Sequence, residues 1–119
     1  MRKDINKLVR DRIPEKIVRV GKNAHIRVLD DIEMENCLER KLVEEVNEYL
    51  SDKTVEELAD IIEVVYAICK MRGVSKEELE RQRVTKAIAN GAFEEQIFLE
   101  YTETIGHVSE KGEIIYHSK

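Results

Sequence analysis

Four acidic side chains stand within or beside the apolar stretches of two predicted helices: Glu45 and Glu48 in one segment, Glu57 and Asp60 in the next. The members of each pair are three residues apart, so they share one face of an α-helix, one turn from each other. A buried carboxylate without a partner is costly in free energy or shifts its pKa until it is neutral. Two such pairs on neighbouring helices would also repel each other, and they therefore predict a bound cation.

The position of Glu45 within its helix supports this interpretation. At about 100° per residue, with Leu38 at zero, Tyr49 lies at about +20° in an apolar stripe. Glu45 lies at about −20°, inside that stripe, and Glu48 at about −80°, at its edge. Glu44, at about −120°, points further away. Glu45 is thus predicted to be buried.

The segment that follows is apolar nearly all round. Ten of the twelve residues in 58–69 are apolar, and the exceptions are Asp60 and Glu63. A helix of this kind is buried on most sides, so these acids have little solvent to face. Glu57 has a rival role as the acid of a capping box that begins at Thr54, and Glu63 could pair with a cation from another helix.

Magnesium suits these carboxylates best. It takes hard oxygen ligands in octahedral geometry at roughly 2.0–2.1 Å, and it retains waters that phosphate oxygens can replace. Zinc fits poorly, because no His or Cys stands near the four acids. Basic side chains that could hold phosphate oxygens are Lys7, Arg10, Arg12 and Lys41.

Capping residues and turns predict four helices around the acids. Pro14 and Gly21 bound a short helix over 15–20. The break at 51–53 is short, so the second and third helices should run antiparallel. The three longer helices are predicted from Asp30 or Asp31 to about Leu50, from a cap at Thr54 to about Arg72, and from a cap at Ser75 to about Ala89.

Two regions are predicted to be extended. Residues 25–29 alternate weakly in polarity, and the apolar residues of 97–101 and 114–116 stand beside turns at Gly106 and Gly112. The second region could form a hairpin or a strand exchanged with a partner.

Length and composition bound the classes of protein. The 119 residues suit a single domain, 1–119. With no Trp, four Tyr and two Phe, the core must be aliphatic, and it would gain burial across a subunit interface, so we expect a homodimer or homotetramer. The absence of a long apolar run predicts no membrane span, and a net charge of −5 disfavours a nucleic-acid polymer as partner. Without a signal peptide, and with Cys37 and Cys69 expected to be buried and reduced, a cytoplasmic location is expected.

Two motifs resemble those of a known family. Glu44-Glu45-x-x-Glu48 followed by Glu57-x-x-Asp60 resembles the ExxE and ExxD signature of the MazG-like nucleotide pyrophosphohydrolases. That all-α superfamily includes phosphoribosyl-ATP pyrophosphohydrolase. The block NKLVRDRIP at 6–14 is similar to the start of a branch that resembles this enzyme, and Gly91-Ala92-Phe93 is similar to its Gly-Gly-Phe stretch. The resemblance covers roughly residues 6–99.

The resemblance implies a four-helix MazG-like bundle with a short extended C-terminal tail, and Mg²⁺-dependent hydrolysis between the α and β phosphates of a nucleotide. The products would be a monophosphate and pyrophosphate. The metal ligands it implies are Glu45, Glu48, Glu57 and Asp60. It also implies dimers or tetramers of helix pairs in which a neighbour completes the site. The short loop between the two acid-bearing helices departs from longer relatives, which place substrate contacts there.

The chemistry agrees with this resemblance. Phosphoryl transfer depends mostly on positioning and charge neutralisation, so it needs no covalent nucleophile. Glu48, at the edge of the stripe, is our candidate for a general base, and Glu45 is the other candidate catalytic residue. Two alternatives remain open: a phosphoribosyl-ATP pyrophosphohydrolase of histidine biosynthesis, and a helical binding or regulatory module without turnover.

Overall fold

Four α-helices form the secondary structure of the described chain, which comprises residues 1–104 and 114–115 of a computed structural model. They are α1 (Ile13–Arg19), α2 (Asp31–Asp52), α3 (Val55–Met71) and α4 (Lys76–Asn90). The predicted all-α class is confirmed. Within the described ranges no strand forms, including at 25–29 and 97–101. Gly106, Gly112 and Tyr116, which belonged to the predicted tail, lie outside the described residues.

Helix α1 begins two residues before its predicted start. Pro14 occupies its first turn, where the missing N–H group leaves no hydrogen bond unmade. The helix ends before Gly21, whose φ of +88° lies in the left-handed region that glycine adopts without strain. In the described chain no other helix packs against α1, so it does not contribute to the core.

Helix α2 starts with a complete capping box. The Glu33 N–H donates to Asp30 Oδ1 at 2.8 Å, and the Asp30 N–H donates to Glu33 Oε1 at 3.5 Å. The helix continues to Asp52, two residues beyond the predicted end, and Lys53 then adopts a left-handed φ of +59°. The connection to α3 is therefore tighter than predicted, and the acid-bearing turns are close to it.

Helices α3 and α4 begin at the two predicted caps. Thr54 Oγ1 accepts from the Glu57 N–H at 3.4 Å, and Ser75 Oγ accepts from the Glu78 N–H at 3.1 Å. Each helix ends within one residue of its predicted end, before Arg72 and Gly91 respectively.

The core lies between α2 and α3, which run antiparallel. The first turns of α2 face the end of α3 across a small cavity of about 30 Å³ beside Leu38 and Ile68. Leu38 and Val64 are the two buried apolar side chains among the described residues, with 3% and 8% of their surface exposed, and neither is buried completely. Cys37 and Cys69 are only half-buried, so the prediction that they are buried is not met in this chain alone.

One side of this helix pair is apolar and exposed. At about 100° per residue, four exposed apolar residues lie at about +80° to +140° from Leu38 on α2, and three lie at about +120° to 180° from Val64 on α3. Because the helices are antiparallel, both stripes face the same side of the pair. We call this side the apolar face; it consists of Ile32, Val43, Val46, Leu50, Val55, Leu58 and Ile62.

The molecule is much more extended than a compact domain. Its radius of gyration is 21.7 Å, whereas a compact chain of this length would have about 14 Å. Among the described helices none is both long and apolar enough to span a bilayer.

Candidate metal centre

Three carboxylates from two helices converge beside the core. Glu45 on α2 and Glu57 and Asp60 on α3 each place one oxygen within 4.8 Å of the others. Octahedral ligands of Mg²⁺ at about 2.1 Å lie about 3 to 4 Å apart, so small side-chain rotations would bring the three oxygens to one cation. We call Glu45, Glu57 and Asp60 the acid triad. Three of the four ligands predicted from the sequence belong to it.

Two oxygens of the acid triad are buried without a hydrogen-bond donor. Glu45 is only 7% exposed, and its Oε2 and the Oε2 of Glu57 accept no hydrogen bond from the described residues. A buried acceptor without a partner carries its full desolvation cost. Both oxygens are hard anionic ligands of the kind that Mg²⁺ binds. The residues present therefore fit a divalent cation.

Glu48 lies next to the acid triad but is not part of it. Its side chain is exposed, whereas the sequence predicted only that it lies at the edge of the apolar stripe of α2. Burial, followed by the neighbouring charge of Glu48 and that of Asp60, raises the pKa of Glu57 above its ordinary value. Glu48, predicted from the sequence both as a ligand and as a general base, thus lies beside Glu57 but outside the group whose oxygens lie within 4.8 Å of one another.

Glu57 does not play its rival role in a capping box. The Thr54 hydroxyl accepts a hydrogen bond from the Glu57 N–H. A complete capping box, like the one at the start of α2, also needs a hydrogen bond from the Thr54 N–H to the Glu57 carboxylate. That bond is not formed among the described residues. The Glu57 side chain instead joins Glu45 and Asp60.

Glu44 is held between two lysines. Lys7 Nζ lies 3.0 Å from Glu44 Oε1, and Lys41 Nζ lies 3.3 Å from Glu44 Oε2. The hydrogen bond from Lys7 lowers the pKa of Glu44, and the same contact raises the pKa of Lys7. Glu44 stays outside the acid triad, in line with its predicted angle off the stripe, but Lys7, 37 positions earlier in the chain, contacts it. Glu44 was not predicted to be part of the site, although Lys41, one turn before it on α2, is a basic neighbour that indicated such a contact.

The predicted phosphate-binding cations divide into two groups. Lys41 Nζ lies 3.4 Å from Glu45 Oε1, and Arg10 Nη2 lies 2.6 Å from Asp60 Oδ1. Together with Lys7, they surround the acids. Arg12 is exposed and forms no ion pair within the described chain.

The prediction that Glu63, like Asp60, has little contact with solvent was wrong. Glu63 is exposed, although it stands in the apolar stretch of α3. The reason is that α3 packs on α2 along one side and meets α4 at only a few residues, so the side that carries Glu63 faces solvent in the single chain. His25 is exposed, while His107 and His117 lie outside the described residues.

The charges around the triad leave a negative excess. Six carboxylates (Glu44, Glu45, Glu48, Asp52, Glu57 and Asp60) face three cations (Lys7, Arg10 and Lys41), which leaves a formal charge of −3. A divalent cation would reduce that excess to −1.

Comparison of the chain with protein-family models, with curated proteins and with solved structures finds no match.

Proposed function

We propose that this protein is a Mg²⁺-dependent nucleotide pyrophosphohydrolase, a hydrolase that cleaves between the α and β phosphates to give a nucleoside monophosphate and pyrophosphate. The observation that carries the proposal is the buried Oε2 of Glu45, which has no donor and belongs to a cluster with Glu57 and Asp60. The ExxE and ExxD motifs, with their resemblance to the MazG-like enzymes, supply the reaction class.

In this proposal the acid triad holds the cation. A bound Mg²⁺ supplies positive charge for the phosphate oxygens and lowers the pKa of a nearby water. Glu48 is the general base: its exposed carboxylate beside Glu57 accepts the proton of the attacking water. Because Glu45 is buried, it serves as a ligand and its role in turnover is to position the cation.

Basic side chains around the triad hold the phosphates. Lys7 and Lys41 share the carboxylate of Glu44, which keeps their ammonium groups at one edge of the site. Arg10 reaches the triad from the N-terminal segment through Asp60. Arg12 remains a phosphate ligand on sequence grounds alone.

The proposal includes a homo-oligomer, in which a second copy of this chain covers the apolar face. Leu50 and Ile62 in that face are 56% and 50% exposed. This exposure is unfavourable in water, and the chain has little other buried apolar surface to offset it. The accessible surface is 11899 Å², against about 6,700 Å² for a compact monomer of this mass. The apolar face lies on the other side of the helix pair from Glu48, so such pairing leaves the acids accessible. We place the protein in the cytoplasm, where free Cys37 and Cys69 stay reduced.

The test is a panel of nucleoside triphosphates incubated with and without Mg²⁺ and followed for pyrophosphate. We expect release that depends on Mg²⁺ and falls at least about a hundredfold in Glu45→Gln and Asp60→Asn. Glu63→Gln is the matched control, because Glu63 lies on the same helix as Asp60 but is exposed outside the triad.

Other outcomes would replace the proposal. Orthophosphate as the only product would indicate a different phosphohydrolase. Turnover of phosphoribosyl-ATP alone would indicate the histidine-biosynthesis enzyme. No release from any nucleotide would indicate a binding or regulatory module.

A further inference from the structure

The N-terminal segment is tied to the acid-bearing helices by charge. Residues 1–12, which we call the N-terminal strap, form no helix or strand, and α1, which follows it, packs on no other helix of the described chain. The strap reaches the helix pair through two ion pairs, Lys7 with Glu44 and Arg10 with Asp60. Their basic side chains are 57% and 55% exposed, so both pairs are accessible to water and salt.

The two ion pairs differ in one respect. Glu44 lies outside the acid triad, whereas Asp60 is a member of it. Arg10 Nη2 therefore lies 2.6 Å from an oxygen of a carboxylate that a metal cation would also bind. Lys7 occupies a carboxylate that a cation would leave alone.

We propose that Arg10 competes with the divalent cation for Asp60, so that cation binding releases the strap at Arg10 and frees its guanidinium for a phosphate group. This inference rests on the cation site of the proposed function. Lys7 remains on Glu44 and keeps the released strap near the site.

The physical basis is a conflict of charges. A guanidinium and a divalent cation on the same carboxylate repel each other, and Asp60 cannot satisfy both fully. Exposed ion pairs contribute little stability, so the Arg10–Asp60 pair yields readily. Once the cation is bound, the anionic oxygens of a phosphate become the strongest available acceptor for the planar guanidinium.

If Arg10 only orients Asp60, its removal should change the metal affinity in the opposite direction. Outer-shell partners that orient a metal-ligating carboxylate strengthen metal binding, and their removal commonly costs about 10- to 100-fold in affinity. Competition instead means that removal of Arg10 improves affinity. The direction of the change therefore distinguishes the two roles.

The experiment is a calorimetric titration of the full-length protein with Mn²⁺ as the probe, without nucleotide. We expect Arg10→Gln to bind Mn²⁺ about two- to fivefold more tightly than wild type, the range for one exposed ion pair. Arg2→Gln is the matched control and should bind as wild type does, because Arg2 lies in the same strap but pairs with Asp4 of the strap rather than with the helix pair. Weaker or unchanged binding by Arg10→Gln would overturn the inference.

A second measurement follows the strap itself. Trypsin should cut after Arg10 faster when Mn²⁺ is present, and this acceleration should be absent in Glu45→Gln. Protection of the strap by Mn²⁺ would contradict release. If wild type and Glu45→Gln bind Mn²⁺ equally or not at all, the cation site of the proposed function fails together with the inference. If wild type alone binds and Arg10→Gln binds less well, the inference fails and the cation site stands.

Discussion

The Lys41 ammonium lies 3.4 Å from one carboxylate oxygen of Glu45, one turn further along α2, while the other oxygen of Glu45 is buried without a donor. Lys41 also contacts Glu44 at 3.3 Å, so its charge is shared. One oxygen of Glu45 thus has a basic partner on its own helix, and the other has none. Because the neighbours of this carboxylate on α3 are the acids Glu57 and Asp60, the oxygen without a partner supports the assignment of a cation to this site.

Cation binding should stabilise the fold. A ligand that binds only the folded protein at 100 times its Kd contributes about 2.7 kcal/mol, which raises Tm by roughly 10 °C or more for a domain of this size. We expect differential scanning calorimetry to show a rise of this order with Mg²⁺ or Mn²⁺ in wild type and none in Glu45→Gln. An equal rise in both proteins would indicate binding elsewhere.

Glu57→Gln should stabilise the cation-free protein at neutral pH. Burial and the charges of Glu48 and Asp60 raise the pKa of Glu57 above its ordinary 4.5, so its ionisation costs stability. That cost is absent below pH 4.5, grows as the pH rises toward the raised pKa, and is constant above it. Tm measured from pH 4 to 8 without divalent cations should show wild type falling below Glu57→Gln as the pH rises. A mutant that is less stable than wild type at pH 7 would contradict this expectation.

Glu44→Gln should have the opposite dependence on pH. The contacts of Glu44 with Lys7 and Lys41 lower its pKa below 4.5, so its charge stabilises the fold above that pH and this contribution is lost as the pH falls through the lowered pKa. We expect a loss of about 1 kcal/mol or less at pH 7, read from urea unfolding, and convergence with wild type in acid. Turnover should be affected far less than in Glu45→Gln. Loss of turnover equal to that of Glu45→Gln would make Glu44 a ligand.

The apolar face should mediate association. Leu50→Lys together with Ile62→Lys places two charges in it and should convert the oligomer to a monomer. Light scattering at micromolar concentration should give wild type at least twice the chain mass of 13.9 kDa and the variant the chain mass itself. Val28→Lys is the control, because Val28 is exposed but lies outside the helix pair. A wild-type mass near 13.9 kDa would contradict the proposed oligomer.

Local periodicity predicted the part of the site that depends on single helices. The burial of Glu45 followed from its angle within the stripe of Leu38, and the convergence with Asp60 followed from the short break between two antiparallel helices. The helix starts followed from side chains such as Thr54, whose hydroxyl accepts from the backbone of its own first turn.

Periodicity could not predict what depends on other parts of the chain. Glu44 is held by Lys7, 37 residues away, and Asp60 by Arg10, 50 residues away, and no helical repeat relates residues so distant. Glu63 is exposed because it lies on a side of α3 that neither α2 nor α4 covers. The composition of α3 shows that the helix is apolar, but it does not show which of its sides another helix covers.

The bond that is cleaved is the central claim, and ³¹P NMR of a mixed pool of nucleoside triphosphates, incubated with the protein and Mg²⁺, tests it most directly. We predict monophosphate and pyrophosphate signals that grow in equal amounts from at least one nucleotide, and that are absent with Glu45→Gln and present with Glu63→Gln. Diphosphate and orthophosphate signals, or a pool that does not change, would contradict it.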